Sequence, residues 1–233
     1  MVENDYIIRT HNLGKRFGGV TAVQNVNLQV RPGSVFGFIG PNGAGKTTTI
    51  GMLLGLIHPT TGSVQLFGQT VTPARNQTLR RVGALIGAPT LMPYLSGRDN
   101  LRLLARLQPQ ASNGRVDAAL NRVGMSSSAN RKVKGYSTGM KRRIGLAAAL
   151  MHQPELIILD EPTSGLDPAG MREVRDLLRE LAADGMTIFL SSHLLHEVAQ
   201  VCDHIAIIHN GQIVTQGAID ALTADLDLET LFL

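Results

Sequence analysis

The chain has 233 residues, of which 43% are hydrophobic and 17% charged, a composition that excludes a disordered chain and allows a large buried core. Its formal net charge of +4 permits contact with phosphate groups or a membrane surface but requires neither nucleic acid nor lipid. The single cysteine, Cys202, has no partner for an internal disulfide, which favours a reducing compartment. The N-terminal residues lack a signal-peptide core, and no apolar run reaches the roughly 18 residues needed to cross a bilayer. If the protein acts at a membrane, we expect another chain to cross it.

The N-terminal part of the chain predicts short strands around one glycine-rich loop. Strands are predicted at residues 6–8 and 22–30, and apolar and polar residues alternate in the latter part of the second run. This alternation favours half-exposed, antiparallel strands. A buried strand at 35–39 leads into the loop, a helix follows through Leu56, and another strand is predicted at 63–68.

The middle of the chain is predicted to be helical. A core strand at residues 81–86 and a loop come first, and a helix then begins near Ser96, where Ser-Gly-Arg-Asp fits a helix cap. Further helices are predicted at 115–123 and 144–151. Polar linkers separate the helices, one of them at 108–114.

The C-terminal part returns to alternating strands and helices. The all-apolar run 156–159 fits a parallel strand that is buried on both faces. The elements predicted after it are a helix at 169–183, a strand at 187–190, a helix at 193–201, strands at 205–208 and 212–214, and a short final helix.

The loop after residues 35–39 carries the strongest chemical signal. It fits the pattern G-x-x-x-x-G-K-[ST], in which glycines let successive backbone N–H groups turn inward around phosphate oxygens. Lys46 supplies a cation for the outer phosphates, the Thr47 hydroxyl suits Mg²⁺, and the helix dipole adds to the attraction for anions. A plain glycine turn before a helix would need neither lysine nor threonine there. The predicted phosphate-binding residues are Gly40, Pro41, Asn42, Gly43, Ala44, Gly45, Lys46, Thr47 and Thr48.

The order of strand, glycine loop and helix predicts the fold class. We expect an α/β protein with a P-loop NTPase core, a mostly parallel sheet and an N-terminal antiparallel β subdomain. Because no strand pattern interrupts the middle block, residues 87–150 are predicted to form a helical subdomain. This subdomain is inserted into a core made of residues 1–86 and 151–233.

Two carboxylates follow the buried strand 156–159, at the end of a strand where open α/β sheets bind ligands. Asp160 is the candidate to hold Mg²⁺, and Glu161 is the candidate general base for an attacking water. The alternative is an ordinary polar strand end. His193 follows the next predicted strand and is within reach of the same site, although a histidine at a helix start is more often incidental. His196 stands three residues later, but without a third ligand no zinc site is expected.

A second anion site is predicted before the helix at 144–151. Ser137 and Gly139 offer a hydroxyl and exposed amides at a helix start. The basic run 141–143 opposes the helix dipole, which suggests a task for it, although a solvated basic face is the commoner explanation. A chain with one phosphate loop has use for a second anion site if that site meets the nucleotide of another subunit.

With these motifs in order, the chain resembles the nucleotide-binding subunit of an ATP-binding cassette (ABC) transporter over essentially its whole length. The matching motifs are Walker A at 40–48, the signature at 136–140, Walker B at 156–161, the D-loop at 164–167 and the switch histidine His193. The resemblance implies ATP hydrolysis by a head-to-tail pair of subunits. Each nucleotide would lie between the Walker A of one chain and the signature of the other.

The resemblance also implies residue roles, cofactors and partners. Lys46, Glu161 and His193 would be catalytic, and Thr47 and Asp160 would bind Mg²⁺ beside ATP. Further nucleotide contacts are implied for Phe17, which matches the aromatic that stacks on adenine, and for Ser137, Thr138, Gly139 and Asp167. The implied partners are a second copy or a homologous ATPase subunit and an integral membrane transporter subunit, with no nucleic acid. The implied location is the cytoplasm, peripheral at the inner face of the cell membrane.

The signature departs from the usual Leu-Ser-Gly-Gly-Gln at Thr138 and Met140 and looks like that of subunits exporting drugs and peptide antibiotics of the bacitracin, daunorubicin and lantibiotic kinds. The cargo is therefore expected to be a drug, a peptide antibiotic or a lipid-like molecule. A larger departure is Gly87, where the family has glutamine or glutamate touching Mg²⁺ and facing the membrane partner.

Three other functions fit parts of the sequence. A soluble ABC ATPase acting on DNA or ribosomes usually has tandem cassettes or coiled coils, and this chain shows one cassette and no long heptad pattern. A non-catalytic regulatory module would not need Lys46, Asp160 and Glu161. A small-molecule kinase would have no use for residues 137–139.

Overall fold

The computed structural model describes residues 5–72, 77–107 and 113–225. In chain order its strands are β1 (Ile8–Phe17), β2 (Val20–Val26), β3 (Gln29–Val30), β4 (Val35–Ile39), β5 (Thr61–Leu66), β6 (Gln69–Thr70), β7 (Val82–Leu85), β8 (Leu156–Asp160), β9 (Thr187–Ser192), β10 (His204–His209) and β11 (Gln212–Ala218). Its α-helices are α1 (Lys46–Leu53), α2 (Gly97–Ala105), α3 (Asn113–Arg122), α4 (Thr138–Leu150), α5 (Pro168–Ala183), α6 (Leu195–Val198) and α7 (Ile219–Asp225). Short 3₁₀ helices lie at Gln77–Arg81 and Val133–Gly135.

The central sheet has 6 strands in the order β11-β10-β4-β9-β8-β7. All neighbours are parallel except β10 and β11. Every residue of β4, β8 and β9 is buried, which explains why the central part of each strand is a run of apolar residues. These three strands end at the same edge, where Asp160 pairs with Ser191 and Ile39 with Ser192. The predicted α/β class with a mostly parallel sheet is confirmed.

The second sheet is antiparallel, as predicted, and runs β2-β1-β5-β6 with β3 also paired to β1. The predicted strand at 22–30 is split into two. Thr10 causes the break, because its Oγ1 accepts a hydrogen bond from Leu28 N at 2.7 Å and donates one to Val26 O at 2.9 Å. β1 is much longer than the predicted strand at 6–8.

Helix α1 joins the two sheets. It contacts β2 and β5 of the antiparallel sheet and β8 of the central sheet. The residues between the sheets form one hydrophobic cluster that includes the stacked rings of Phe36 and Phe189, with centroids 5.7 Å apart. The glycine loop before α1 is therefore fixed between two packed layers.

The described part of the predicted helical subdomain carries α2, α3 and α4. Its buried side chains, such as Leu101, Leu120 and Ile144, belong to the same hydrophobic cluster as Ile157 and Leu159 of β8. This region therefore packs directly on one face of the central sheet. The only strand-like pairing in its described residues is an isolated bridge between Ser96 and Lys132.

Two helices differ in extent from their predictions. α4 begins at Thr138 rather than at 144, because the Ser137 side chain accepts a hydrogen bond from Met140 N and caps the helix before the apolar pattern starts. α6 has only 4 residues instead of the predicted 193–201. β9 takes up Ser192, whose Oγ accepts a hydrogen bond from Leu194 N at 3.0 Å and delays the helix.

The predicted helix at 169–183 and the short final helix are confirmed. Most of the predicted linker at 108–114 and the tail after Asp225 lie outside the described residues. No helix among the described residues has the length and apolar character needed to span a membrane.

Candidate nucleotide-binding and catalytic site

The loop between β4 and α1 has a shape that requires glycine. Gly43 and Gly45 have φ angles of 83° and 106°, left-handed values that residues with a Cβ rarely adopt. A Cβ on Gly40 would lie 2.3 Å from the carbonyl oxygen of Ile208. A Cβ on Gly45 would lie 2.6 Å from the carbonyl oxygen of Ala22. Larger residues at 40 and 45 would displace the loop from its neighbours.

The loop opens directly into α1, whose N-terminus has no side-chain cap. The N–H groups of its first turn are therefore suited to an anion, and the helix dipole favours negative charge there. The nine predicted phosphate-binding residues form an open face over a packed base. Asn42, Gly43 and Thr47 are exposed, Pro41, Gly45 and Thr48 are half-buried, and Gly40, Ala44 and Lys46 are buried.

The Lys46 side chain lies under this loop and is 6% exposed. Its Nζ donates hydrogen bonds to Gly40 O at 2.7 Å and Pro41 O at 3.2 Å. It is also 3.3 Å from Glu161 Oε1. A buried cation needs such partners, because an uncompensated charge is costly away from water.

Thr47 and Asp160, the two predicted Mg²⁺ ligands, contact each other directly. Thr47 Oγ1 donates to Asp160 Oδ2 at 3.0 Å. The other carboxylate oxygen, Oδ1, accepts a hydrogen bond from Ser191 Oγ at 2.6 Å. Asp160 is buried at the end of β8, and its orientation is fixed from both sides.

Glu161 lies between Lys46 and His193. Its Oε2 is 2.7 Å from His193 Nδ1, while Oε1, near Lys46, is buried and has no hydrogen-bond donor among the described residues. Because a carboxylate only accepts hydrogen bonds, His193 Nδ1 carries the hydrogen, which leaves Nε2 for another group. The Glu161 N–H donates to Ser191 Oγ at 3.0 Å, so one serine holds the Asp160 carboxylate and the Glu161 main chain. The site therefore combines an anion cradle with a buried acceptor suited to a water proton.

Comparisons with known proteins agree with this geometry. The family model described as ABC transporter matches residues 23–164, more than half of the chain. The chain belongs to the ABC transporter family. As an ABC protein of this kind it is an ATP-binding, ATP-hydrolysing transporter subunit, as the motifs predicted.

This ABC chain is similar to proteins that are named as ATP-binding subunits for antibiotic transport. It is 43% identical over 217 residues to the bacitracin transport ATP-binding protein of Bacillus licheniformis, covering 93% of this chain and 71% of that protein. It is 38% identical over 226 residues to the lantibiotic transport ATP-binding protein of Streptococcus pyogenes, covering 97% and 96%. The predicted resemblance to this subgroup is confirmed.

Solved ABC cassettes share the fold. The cassette cbiO1 of Clostridium perfringens, part of the transporter complex cbiONQ, superposes with a TM-score of 0.87 at 26% identity, covering 98% of this chain and 94% of that one. The cassette MJ1267 in its ADP conformation superposes with a TM-score of 0.86 at 26% identity, covering 97% and 98%.

The predicted signature residues lie apart from the P-loop cluster, at the start of α4. Ser137 is the cap of the helix, and its Oγ accepts the Met140 N–H at 3.2 Å. Ser137 and Thr138 are exposed, and Gly139 is half-buried. The start of α4 is therefore open to solvent at Ser137 and Thr138.

The two other predicted nucleotide contacts, Phe17 and Asp167, lie on separate elements, at the end of β1 and at the start of α5. Phe17 ends β1 with its ring 50% exposed and the Lys15 ammonium 5.0 Å from the ring centroid. Gly211 bridges the phosphate loop to the strand that pairs with β1, since its N–H donates to Ala44 O at 3.0 Å and its carbonyl accepts Gln24 N–H at 2.7 Å. Asp167 caps α5, with Oδ1 accepting the Gly170 N–H at 3.1 Å.

Two residues of the site were not predicted from the sequence. The predicted strand at 187–190 ends before Ser191, but Ser191 is buried inside β9 opposite Asp160. The pair Ser191-Ser192 directly after an apolar strand is the sequence feature that could have indicated a polar side chain beside Walker B. Arg142 was placed in a basic run, yet it is buried and donates hydrogen bonds to Gly87 O and Ser164 O. No local pattern distinguishes this buried arginine from the half-buried Lys141 and Arg143 on either side of it.

Proposed function

We propose that ATP is hydrolysed at the P-loop cluster and that the chain works as one half of a head-to-tail dimer driving a separate membrane subunit. The observation that carries this proposal is that Lys46, which lies under the glycine loop, and His193 both contact the Glu161 carboxylate. Three groups from three different elements meet there with the charges and hydrogens that phosphoryl transfer to water requires.

Each group has a proposed role. The loop amides and Lys46 bind and orient the triphosphate and neutralise charge that develops on its terminal oxygens. Glu161 accepts a proton from the water that attacks the γ-phosphorus, while the bond from that phosphorus to the β–γ bridging oxygen breaks. His193 holds the carboxylate through Nδ1 and leaves Nε2 for the terminal phosphate. The products are ADP and inorganic phosphate.

The donor set around Thr47 fits Mg²⁺. A hydroxyl and the Asp160 carboxylate are hard oxygen ligands 3.0 Å apart, and Mg²⁺ is typically held by one or two such groups plus substrate phosphates. No cluster of three or more histidine, cysteine or acidic side chains suited to a metal occurs among the described residues. When bound, Mg²⁺ would neutralise phosphate charge. Thr47 and Asp160 would hold it, and Ser191 would keep Asp160 oriented.

A second chain is proposed to complete the site. Ser137, Thr138 and Gly139 form an exposed helix start, and no other phosphate loop is found in the sequence. A partner's nucleotide would give these amides their anion. We propose that the helical subdomain, residues 87–150, moves as this interface closes, and that ATP binding and closure are linked because contacts to both chains exist only in the closed state.

The membrane partner is proposed to dock beside Gly87. The segment that follows carries large exposed apolar side chains at Met92 and Tyr94, which are 55% and 75% exposed. Such a patch favours contact with another protein. Relatives named for bacitracin and lantibiotic transport support export of a drug, a peptide antibiotic or a lipid-like molecule. The chain would then be peripheral, on the cytoplasmic face of the membrane.

Sedimentation velocity of the Glu161→Gln variant tests the shared site. This variant should bind ATP without consuming it and sediment as a dimer with ATP and Mg²⁺, but as a monomer without nucleotide. Adding Ser137→Arg should abolish the dimer while a fluorescent ATP analogue still binds. Ser127→Arg, an exposed serine in the same helical region, is the matched control and should leave the dimer intact. A monomer with ATP bound to Glu161→Gln, or a dimer that survives Ser137→Arg, would refute the head-to-tail site.

A further inference from the structure

Arg142 is a buried arginine in the second turn of α4 and is only 6% exposed. Its Nη1 donates a hydrogen bond to Gly87 O at 2.5 Å, and its Nη2 donates one to Ser164 O at 3.1 Å. Gly87 lies in the loop that leaves β7, and Ser164 lies in the loop that leaves β8. One planar guanidinium therefore joins the signature helix to two loops at the catalytic edge of the sheet.

The position of this guanidinium is fixed by tight packing of α4 against β7. A Cβ on Gly83 would lie 2.2 Å from Ala149 O, and a Cβ on Gly145 would lie 2.9 Å from a Leu85 methyl carbon. Glycine at both positions lets the helix approach the strand closely. The Arg142 side chain is thus held where its fork meets both carbonyls.

The surroundings of Arg142 make it a costly choice for packing alone. Burial lowers the pKa of its guanidinium, and the nearby charges of Asp160 and Glu161 act in the opposite direction. Arginine nevertheless stays protonated in proteins, so a full charge is kept in a buried place. Among the described residues it has no ion-pair partner within 4.0 Å, and its two resolved hydrogen-bond partners are main-chain carbonyls. An apolar side chain would avoid that desolvation.

A short path of contacts leads from Arg142 to the candidate base. The Ser164 carbonyl accepts from Arg142, and the Ser164 N–H donates to Glu161 O at 3.1 Å, which closes a turn. Glu161 itself has a φ of 51°, so its backbone must be held by its surroundings. On the other branch, Gly87 has a φ of 58° and presents its carbonyl to the same guanidinium.

We propose that Arg142 is a positioning residue for ATP hydrolysis. Its fork sets the separation of the Gly87 loop and the turn at Ser164, and so fixes Glu161 relative to the signature helix of the same chain. The proposal rests on the proposed function, in which Glu161 is the base and the signature serves a partner. It also assigns a task to the main chain at Gly87, whose carbonyl oxygen accepts the hydrogen bond from Arg142 Nη1.

The test compares steady-state ATP hydrolysis by the full chain and by Arg142→Met and Arg142→Lys. We expect kcat of Arg142→Met to fall by about tenfold to a hundredfold, because displacing a catalytic group by about 1 Å costs that much. KM for ATP should stay within about twofold, since the phosphate loop is untouched. Arg142→Lys keeps the charge, but one ammonium cannot reproduce a planar fork, so its kcat should also fall by at least about tenfold.

The matched control is Arg122→Met, which removes a surface arginine paired with Asp184 and should leave kcat within about twofold. Thermal unfolding checks that each variant folds. If Arg142→Met does not fold, Arg142→Lys decides the question by the same kcat criterion. A kcat within twofold of the unmodified chain, or full rescue by lysine, would overturn the proposal.

The dimer assay separates failure of this proposal from failure of the proposed function. In the Glu161→Gln background, Arg142→Met should still form the ATP-dependent dimer. Loss of that dimer only when Arg142 is replaced would show that Arg142 serves the signature surface rather than the base, and the positioning role would be wrong. Loss of the dimer in Glu161→Gln itself would refute the shared site instead.

Discussion

Replacing Glu161 by glutamine is the most direct test of the catalytic assignment, because the side chain keeps its shape but loses its negative charge and its ability to take a proton. Lys46 would keep its hydrogen bonds to Gly40 O and Pro41 O, so no buried ammonium is left without partners. Nucleotide binding should therefore persist. It should tighten if anything, because a negative charge 3.3 Å from Lys46 Nζ no longer competes with phosphate.

The expected loss is in turnover. A positioned general base contributes about 10²–10⁴ in rate, equivalent to roughly 2.7–5.5 kcal/mol in the activation barrier. We expect kcat for phosphate release to fall by that factor, with the Kd of a fluorescent ATP analogue unchanged or lower.

Glu155→Gln is the matched control, because Glu155 stands just before the opposite end of β8 and pairs with Arg81 in an exposed salt bridge. Its kcat should remain within about twofold, since exposed pairs contribute about 0–1 kcal/mol to stability and none to this site. Glu161→Gln turning over at the rate of the unmodified chain would refute the base assignment. Equal losses in the two variants would show that the effect is not specific to the site.

Three further predictions concern other parts of the chain. Gly87→Gln should shift the Mg²⁺ concentration that gives half-maximal ATP turnover. Because φ is 58° at this position, it should also lower the free energy of unfolding by about 1–2 kcal/mol. An unchanged Mg²⁺ titration and an unchanged turnover would contradict the prediction. Phe17→Ala should weaken ATP binding about tenfold or more by removing a stacking face. The free energy of unfolding should not change, because Phe17 is 50% exposed. An unchanged Kd for ATP in calorimetry would exclude the stacking role. Burial lowers the pKa of the His152 imidazole below its ordinary value of 6.5. As the pH falls through 6.5, this histidine takes up a proton in the unfolded chain but not yet in the folded chain, so the free energy of unfolding should fall. His152→Gln should lessen the stability lost between pH 7.5 and 5.5, and equal losses in denaturant titrations would refute that cause.

The phosphate loop and the carboxylates at Walker B were predictable because their signals are local. A strand, a glycine turn and a helix in sequence define the first, and an all-apolar strand ending at Asp160 defines the second. Parallel strands bring their carboxyl ends together whatever the detail of the packing, which explains why His193 was found near Glu161.

The remaining features depend on contacts that no local pattern contains. β1 was missed beyond residue 8 because its pairing with β5 shifts register between His11 and Gly14, and Asn12 has a φ of 45°, so apolar and polar residues do not alternate regularly. Arg142 is buried where α4 packs closely on β7. Sequence periodicity describes one helix or strand at a time, whereas the burial of a single polar side chain depends on how two such elements pack together.

The left-handed backbone of Glu161, with its φ of 51°, has a consequence for how this enzyme can evolve. Such a conformation costs a residue with a Cβ about 1–2 kcal/mol, and glycine would avoid most of that cost. Loss of the contacts to Lys46 and His193 would offset part of that gain. Selection for heat resistance alone would therefore not protect the carboxylate that is proposed to act as the base. Thermal stability and ATP hydrolysis make opposite demands on the backbone at this one position. Stabilised variants of the chain should therefore be screened for retained ATP hydrolysis and not for expression alone.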